Sequence, residues 1–287
     1  MAWLHGRMPA VRFVDVFSES TCRGNALAVF HDGDDLPDDE MAAVARWTNL
    51  SETTFLCRPT DPAADYRVRI WTTGGELPFA GHPTLGSAHA WLEAGGEPAS
   101  EGVVVQQCAA GLVEVRRDER LRFAAPPLTR SGPVDEAEAA RVTTALGLDP
   151  ADVLGTAWVD NGPGWIGVLL RSPEAVLEAV PDPSLCIGLK AGFVAVYPPG
   201  ARDDGVAAEV RAIYSDGRDV AEDPVTGSLN AGLAQWLVPA GYLPERYVAA
   251  QGTVLGRLGR IHVDVIDGTT WVGGATRTVV TGERPGP

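Results

Sequence analysis

The chain has 287 residues, 45% of them hydrophobic and 21% charged, a balance ordinary for a soluble globular protein. At roughly 150 residues per domain that length suggests two domains. Its 23 basic and 38 acidic side chains leave a formal charge of −15, which argues against nucleic acid and anionic membranes as partners, since both reward a basic face.

The longest apolar runs, such as Ala26–Phe30, fall far short of the roughly 20 residues of a bilayer span. Met1 to Val16 lacks an apolar leader core, so no secretory signal is expected. The cysteines, at 22, 57, 108 and 186, include no CxxC pair. That pattern fits a reduced, cytoplasmic protein with buried thiols and no zinc site.

In chain order, Val11–Phe17 and Ala26–His31 read as strands. Asp35-Leu36-Pro37 opens a helix running to about Trp47. Thr53–Cys57 and Tyr66–Trp71 read as strands, the latter with Tyr66, Val68 and Ile70 on one face and Arg67 and Arg69 on the other. A helix from about Pro83 ends at Glu93, before Gly95-Gly96. Val103–Gln107, Leu112–Arg116 and Leu121–Ala124 form an expected meander. Pro126 to Pro133 is the best linker candidate, dividing residues 1–127 from 128–287.

Beyond it, Val134–Leu146 is helical in composition, and Thr156–Asp160, Ile166–Leu170, Phe193–Tyr197 and Val206–Tyr214 read as strands. A helix from about Pro224 to Val238 follows. Strands come next near Val248, over Ile261–Ile266 and over Trp271–Val280, before a tail, Gly282–Pro287, expected to fray. Glycine and proline number 33 and 22, so tight turns are frequent and long helices are not expected.

His82 to Ala90 lines up with Asp223 to Ala231 at an offset of 141 residues, close to half the chain, with Pro, Gly, Ser and Ala coinciding. This echo suggests a duplicated domain, each copy carrying one prominent helix. Asp223 reads as an N-cap with Pro224 at the first helical position. Free N–H groups and the helix dipole make such an end a candidate anion site. Helix capping with core packing is the competing explanation for the same residues.

Other features carry less. Gly162-Pro163-Gly164-Trp165-Ile166-Gly167 matches a dinucleotide pattern, but a strand rather than a helix follows, so it reads as a turn. The four cysteines read as core, and His5, His31, His89 and His262 as surface or packed residues. On spacing alone Glu52, at a helix-to-strand junction, reads as a solvated carboxylate.

Several segments together resemble the phenazine-biosynthesis (PhzF-like) isomerase family. These are Val14-Asp15-Val16-Phe17 with Arg23-Gly24-Asn25, Asn49-Leu50-Ser51-Glu52-Thr53, Glu76 to Thr84, Glu222 to Ser228, and Gln251-Gly252 with Gly256-Arg257. The chain departs from the family pattern at Leu258, where proline is common, and at Trp71 and Thr73.

The resemblance implies an α/β fold of the diaminopimelate-epimerase type: two pseudo-symmetric domains, each a curved, mostly antiparallel sheet around a central helix, with the active site in the cleft between them. The last strand, about 276–283, is expected to pack back on the first domain. The implied activity is an isomerisation by proton transfer on a small cyclic carboxylic or amino acid, with no cofactor and no metal. Glu52 would shuttle the proton. His82, Asp223 and Ser228 would orient the substrate, with Ser51, Gly81, Pro83, Thr84 and Gly227 around its carboxylate. A homodimer is also implied. Relatives of the fold that racemise amino acids use one cysteine per domain, where this chain has His82 and Asp223. An epimerase or racemase of an amino-acid-like substrate, and a non-catalytic carboxylate-binding protein, stand as alternatives.

Overall fold

Strand alternation sets the framework. In Tyr66–Trp71 the residues Tyr66, Val68 and Ile70 are buried while Arg67 and Arg69 are half-buried, so one face of the ribbon is committed to a core. The structure, a computed structural model, describes residues 10–215, 217 and 219–283. Expectations for residues 1–9, including His5, and for 284–287 lie outside them. The chain divides into two compact units, residues 1–124 with 273–287, and residues 125–272.

The first unit contains β1 (Val11–Val16), β2 (Asn25–Phe30), α1 (Asp38–Thr48), β3 (Thr53–Cys57), β4 (Tyr66–Trp71), β5 (Glu76–Leu77), α2 (Gly81–Glu93), β6 (Val103–Cys108), β7 (Gly111–Arg117) and β8 (Leu121–Ala124). The C-terminal strand Thr276–Gly282 pairs antiparallel with β1, which also pairs antiparallel with β2. β2 runs parallel to β3, and β3 antiparallel to β4. β4 carries β5 and lies parallel to β6, from which the meander continues to β7 and β8.

This sheet curls around α2, which touches β1, β2, β3, β6, β7, β8 and the C-terminal strand. The helix is accordingly buried from Gly81 to Ala88 and again at Ala90. A helix enclosed on all sides needs small residues where strands approach. A Cβ on Gly86 would lie 2.6 Å from Leu27 Cδ2 and 3.1 Å from Val16 Cγ2. The helix penalty of glycine, about 1 kcal/mol relative to alanine, is accepted for that closeness.

The second unit contains β9 (Arg130–Pro133), α3 (Glu136–Ala145), β10 (Val153–Asp160), β11 (Ile166–Leu170), α4 (Pro173–Glu178), β12 (Lys190–Val196), β13 (Val206–Ser215), β14 (Val220–Glu222), α5 (Gly227–Leu237), β15 (Arg246–Gln251) and β16 (Gly259–Ile266). β17 (Thr269–Gly274) spans the boundary, and β18 is the strand Thr276–Gly282.

The pairings repeat those of the first unit. β10–β11 is antiparallel, β11–β12 parallel and β12–β13 antiparallel. β13 carries the short β14 and lies parallel to β15, which pairs antiparallel with β16. The central helix α5 again packs through glycine and leucine contacts. Leu229 lies against Gly192 of β12, and Leu233 and Trp236 lie against Gly167 of β11.

Several sequence expectations are corrected. α2 begins at Gly81, two residues before Pro83, and α5 at Gly227, three residues after Pro224, with Thr226 rather than Asp223 as its N-cap. α1 begins at Asp38 with Pro37 as the cap. α4, which the sequence reading lacks, opens at Pro173 after β11 ends at Leu170, with Ser172 Oγ accepting from the Ala175 N–H. The expected linker contains β9, paired with β10. Its four residues are all exposed, so no apolar pattern marks the strand; backbone pairing and the Arg130 guanidinium over the Trp158 ring hold it. Trp271–Val280 is two strands, broken at Ala275, whose carbonyl accepts from the Phe17 N–H. Cys57, Cys108 and Cys186 are buried, but Cys22 is exposed, in a loop rather than the core. Among the described residues no helix is long and apolar enough to cross a membrane.

One close helix-to-strand approach is testable. A Cβ on Gly232 of α5 would sit 2.2 Å from the Val159 carbonyl oxygen, a backbone atom that cannot rotate away. Gly232→Ala is expected to destabilise the protein by at least about 1–3 kcal/mol, the usual range for overpacking. Gly155→Ala, whose nearest neighbour is Trp236 Cζ2 at 3.8 Å, should change stability by less than about 1 kcal/mol. Urea unfolding of the two variants makes the comparison, and equal midpoints would contradict it.

Candidate active site

In the first unit the site is built from a turn. Asp15, buried on β1, accepts hydrogen bonds from the main-chain N–H groups of Arg23 at 3.0 Å and Gly24 at 2.9 Å. A Cβ on Gly24 would lie 2.1 Å from the Val16 carbonyl oxygen, so only glycine fits the closed turn. The turn delivers Asn25 opposite Val16 as the first residue of β2. From there Asn25 Nδ2 lies 3.3 Å from His82 Nδ1 in the first turn of α2.

Glu52 arrives from the other side. α1 ends at Asn49, which takes the left-handed conformation at φ 53°, and β3 begins at Thr53. The hydroxyls of Thr48 and Thr53 are 2.6 Å apart, closing the short connection, and Ser87 of α2 donates to Thr54 of β3 at 2.9 Å. The strand that follows Glu52 is thereby tied to the helix carrying His82. Glu52 Oε2 lies 3.4 Å from His82 Nε2, with the two side chains 15% and 4% exposed. The solvated-junction reading of Glu52 is therefore not what the structure shows. Burial pushes the His82 pKa down to about 3, so the ring is neutral at ordinary pH and its contact with Glu52 is not an ion pair.

The remaining first-unit candidates are placed unevenly. Ser51 is exposed, whereas Gly81, Pro83 and Thr84 are buried in the first turn of α2. The Thr84 hydroxyl donates to the Ala80 carbonyl at 2.9 Å and accepts from Gln106 at 3.0 Å, and Gln106 in turn accepts from the Tyr66 hydroxyl. Its hydrogen-bonding capacity serves the helix start.

In the second unit Asp223 and Ser228 flank the start of α5. The Asp223 carboxylate accepts from the Thr226 hydroxyl at 2.6 Å. Gln251 on β15 holds this segment. Its amide nitrogen donates to the Asp223 carbonyl and the Thr226 hydroxyl, and its oxygen accepts from the Thr226 N–H and from Asn230. Those bonds replace the intrahelical ones expected after Pro224, which is why α5 starts late. Ser228 Oγ accepts from the Trp165 indole N–H at 2.9 Å, and the Ser228 carbonyl from Asn161 at 2.8 Å. Gly227, beside it, is buried.

The loop that mimics a dinucleotide motif is a turn between β10 and β11, with Asp160 accepting from the N–H groups of Gly162 and Gly164. It places Trp165. Sequence reasoning assigned no role to Asn25, Trp165, Thr226 or Gln251, although Arg23-Gly24-Asn25 and Gln251-Gly252 stood out as motif residues. Among the described residues no three His, Cys, Asp or Glu side chains cluster as a metal site.

Neutral His82 has a stability signature. Its folded pKa lies below the unfolded value, so the unfolded chain binds the extra proton between about pH 6.5 and about pH 3. The stability this group permits is complete above that window and falls as the pH drops through it. Urea unfolding from pH 7 to pH 4 should show a shallower loss in His82→Gln, by up to one proton. Parallel curves for the two proteins would contradict the burial of a neutral ring.

Comparison with known proteins follows the same lines. The family model described as phenazine biosynthesis-like protein, PhzC-PhzF, matches residues 14–283. A protein of Schizosaccharomyces pombe named antisense-enhancing sequence 1 is 33% identical, over 94% of this chain and 96% of its own length. The trans-2,3-dihydro-3-hydroxyanthranilate isomerase of Pseudomonas aeruginosa is 31% identical over 87% of each chain. The fold matches the crystal structure of a PhzF-family protein from Enterococcus faecalis with a TM-score of 0.78 and 24% identity, covering 96% of this chain and 98% of the other. The chain belongs to the phenazine biosynthesis-like protein family, PhzC-PhzF, and is an isomerase.

Proposed function

We propose that the chain moves a proton between two carbons of a small cyclic carboxylic or amino acid, with Glu52 as the general acid/base. The observation that carries this is the half-buried Glu52 carboxylate 3.4 Å from the neutral His82 ring. A carboxylate held beside a neutral donor in a low-dielectric pocket can abstract a proton from an activated carbon and return it. In the first step the substrate C–H bond breaks, the proton goes to Glu52, and the electron pair enters the conjugated system of the acid. In the second step the Glu52 O–H bond breaks and a new C–H bond forms at another carbon. The net change is isomerisation, with no oxidant or reductant required. The dihydro-hydroxyanthranilate named for the Pseudomonas relative has this chemistry. The proposal assigns substrate binding to His82 in the first unit and to Asp223 and Ser228 in the second. Two-thiol racemisation is disfavoured, because no cysteine lies in α2 or α5.

Cyclic dienoic and amino acids, dihydro-hydroxyanthranilate among them, should be screened in heavy water for deuterium uptake at carbon. An isomerised, deuterated product is expected. Deuterium with inversion at one stereocentre would instead indicate an epimerase, and binding without any exchange a non-catalytic protein. With a substrate in hand, Glu52→Gln should lower turnover by about 10²–10⁴-fold. Turnover within about threefold of the unaltered protein would leave the assignment untenable.

We also propose a homodimer, on the family resemblance alone. Sedimentation at micromolar concentration is expected to give twice the chain mass, and a monomer there would remove the claim.

A further inference from the structure

We propose that Asn25 is a positioning residue that fixes the His82 tautomer, with the ring proton on Nε2, so that the imidazole presents a hydrogen-bond donor to the Glu52 carboxylate. The inference deepens the function proposed above and rests on it, for the ionised Glu52 that selects the tautomer and for the catalytic consequence.

An amide nitrogen carries only hydrogens and cannot accept. Asn25 Nδ2, 3.3 Å from His82 Nδ1, therefore requires a bare, accepting Nδ1. A neutral imidazole has one N–H. With Nδ1 bare, that hydrogen is on Nε2, the nitrogen 3.4 Å from Glu52 Oε2. The opposite arrangement would turn the Asn25 oxygen toward Nδ1–H and leave a lone pair on Nε2 facing a carboxylate. Two lone pairs repel unless Glu52 is protonated, and a protonated Glu52 cannot take a proton from substrate. Only the first arrangement leaves an ionised carboxylate ready to act.

Three features hold Asn25 in place. It opens β2 opposite Val16, the preceding turn is closed by Asp15 on the N–H groups of Arg23 and Gly24, and the side chain is 2% exposed. The second unit repeats the relation with a group of unambiguous polarity. Trp165, whose carbonyl accepts from the Val159 N–H on the neighbouring strand, gives its indole N–H to Ser228 in the first turn of α5. An indole nitrogen can only donate. In both units a side chain at or just before the start of the second strand faces the first turn of the central helix, although in the repeat Ser228 aligns with Ser87 and not with His82.

The consequence for mechanism is a division of labour. His82 does not accept a proton at Nε2. It points its Nε2–H toward Glu52 Oε2 across 3.4 Å, close but not a formed hydrogen bond, and the N–H dipole favours the ionised carboxylate and favours it less once Glu52 is protonated, which helps the proton return.

The test is spectroscopic and uses the full chain labelled with 15N-histidine. Two-bond 1H–15N correlations at pH 7 distinguish the tautomers, because Nε2 couples to both ring carbon-bound protons and Nδ1 to Hε1 alone. The His82 signals are identified by their loss in His82→Gln. A protonated Nε2 with a bare Nδ1 is expected. Asn25→Asp presents only acceptors, so Nδ1 should gain a proton, giving the other tautomer or an imidazolium. Asn25→Leu, similar in size and without a donor, should give a tautomer mixture. Both variants should lose at least about tenfold in kcat with KM within about threefold, their folding checked by circular dichroism. Protonated Nδ1 in the unaltered protein would overturn the proposal, as would an unchanged Nε2–H form in both Asn25 variants. Normal turnover in Glu52→Gln would count against the proposed function and leave the tautomer result standing.

Discussion

An imidazole taken out of water in the first turn of a helix loses the solvent that would hold its proton, and this one burial organises the first unit. His82 becomes a neutral ring, and a neutral ring has one donor and one acceptor that must each find a defined environment. Asn25 faces one nitrogen and Glu52 the other. Asp15 then serves by closing the turn that aims Asn25, and the Ser87–Thr54 bond by fixing the strand after Glu52 to the helix. The residues gathered around His82 are few, and they come from different elements.

The second unit meets the same constraint with other side chains. Its central helix is enclosed by strands, so the polar groups at its start also need internal partners. Gln251 takes up the Asp223 carbonyl and the Thr226 N–H and hydroxyl, as Gln106 takes up the Thr84 hydroxyl in the first unit. Both glutamines sit on the strand that follows the helix. The duplication thus extends beyond pairing order to the clasp on each helix start. The two starts differ where chemistry is expected to differ: a neutral imidazole beside a carboxylate in one, a serine hydroxyl and an aspartate in the other.

Glu52 beside a neutral ring, the acid/base group proposed above, would make a thiol pair unnecessary. Cys57, Cys108 and Cys186 are buried, with burial pushing their thiols above the ordinary range. Such thiols are poor acids and bases near neutrality, whereas the Glu52 carboxylate faces a neutral ring.

The sequence by itself determined the strand framework, the two helix segments at an offset of 141 residues and the family. Alternation in Tyr66–Trp71 and the order of the motifs carried these, because burial on one face and close packing leave local, periodic marks. The repeat also marked the segments that hold His82, Asp223 and Ser228, but Glu52 and the role of each residue came only through resemblance, since spacing alone made Glu52 a solvated carboxylate. Only the tertiary structure decided that α5 starts at Gly227, that β9 lies inside an apparent linker, that Cys22 is exposed, and that Asn25 and Trp165 face His82 and Ser228. Those last contacts join residues 57 and 63 positions apart. Hydrogen bonds at such separations depend on where the sheet brings the chain back, and a single side chain meeting another once leaves no period to read.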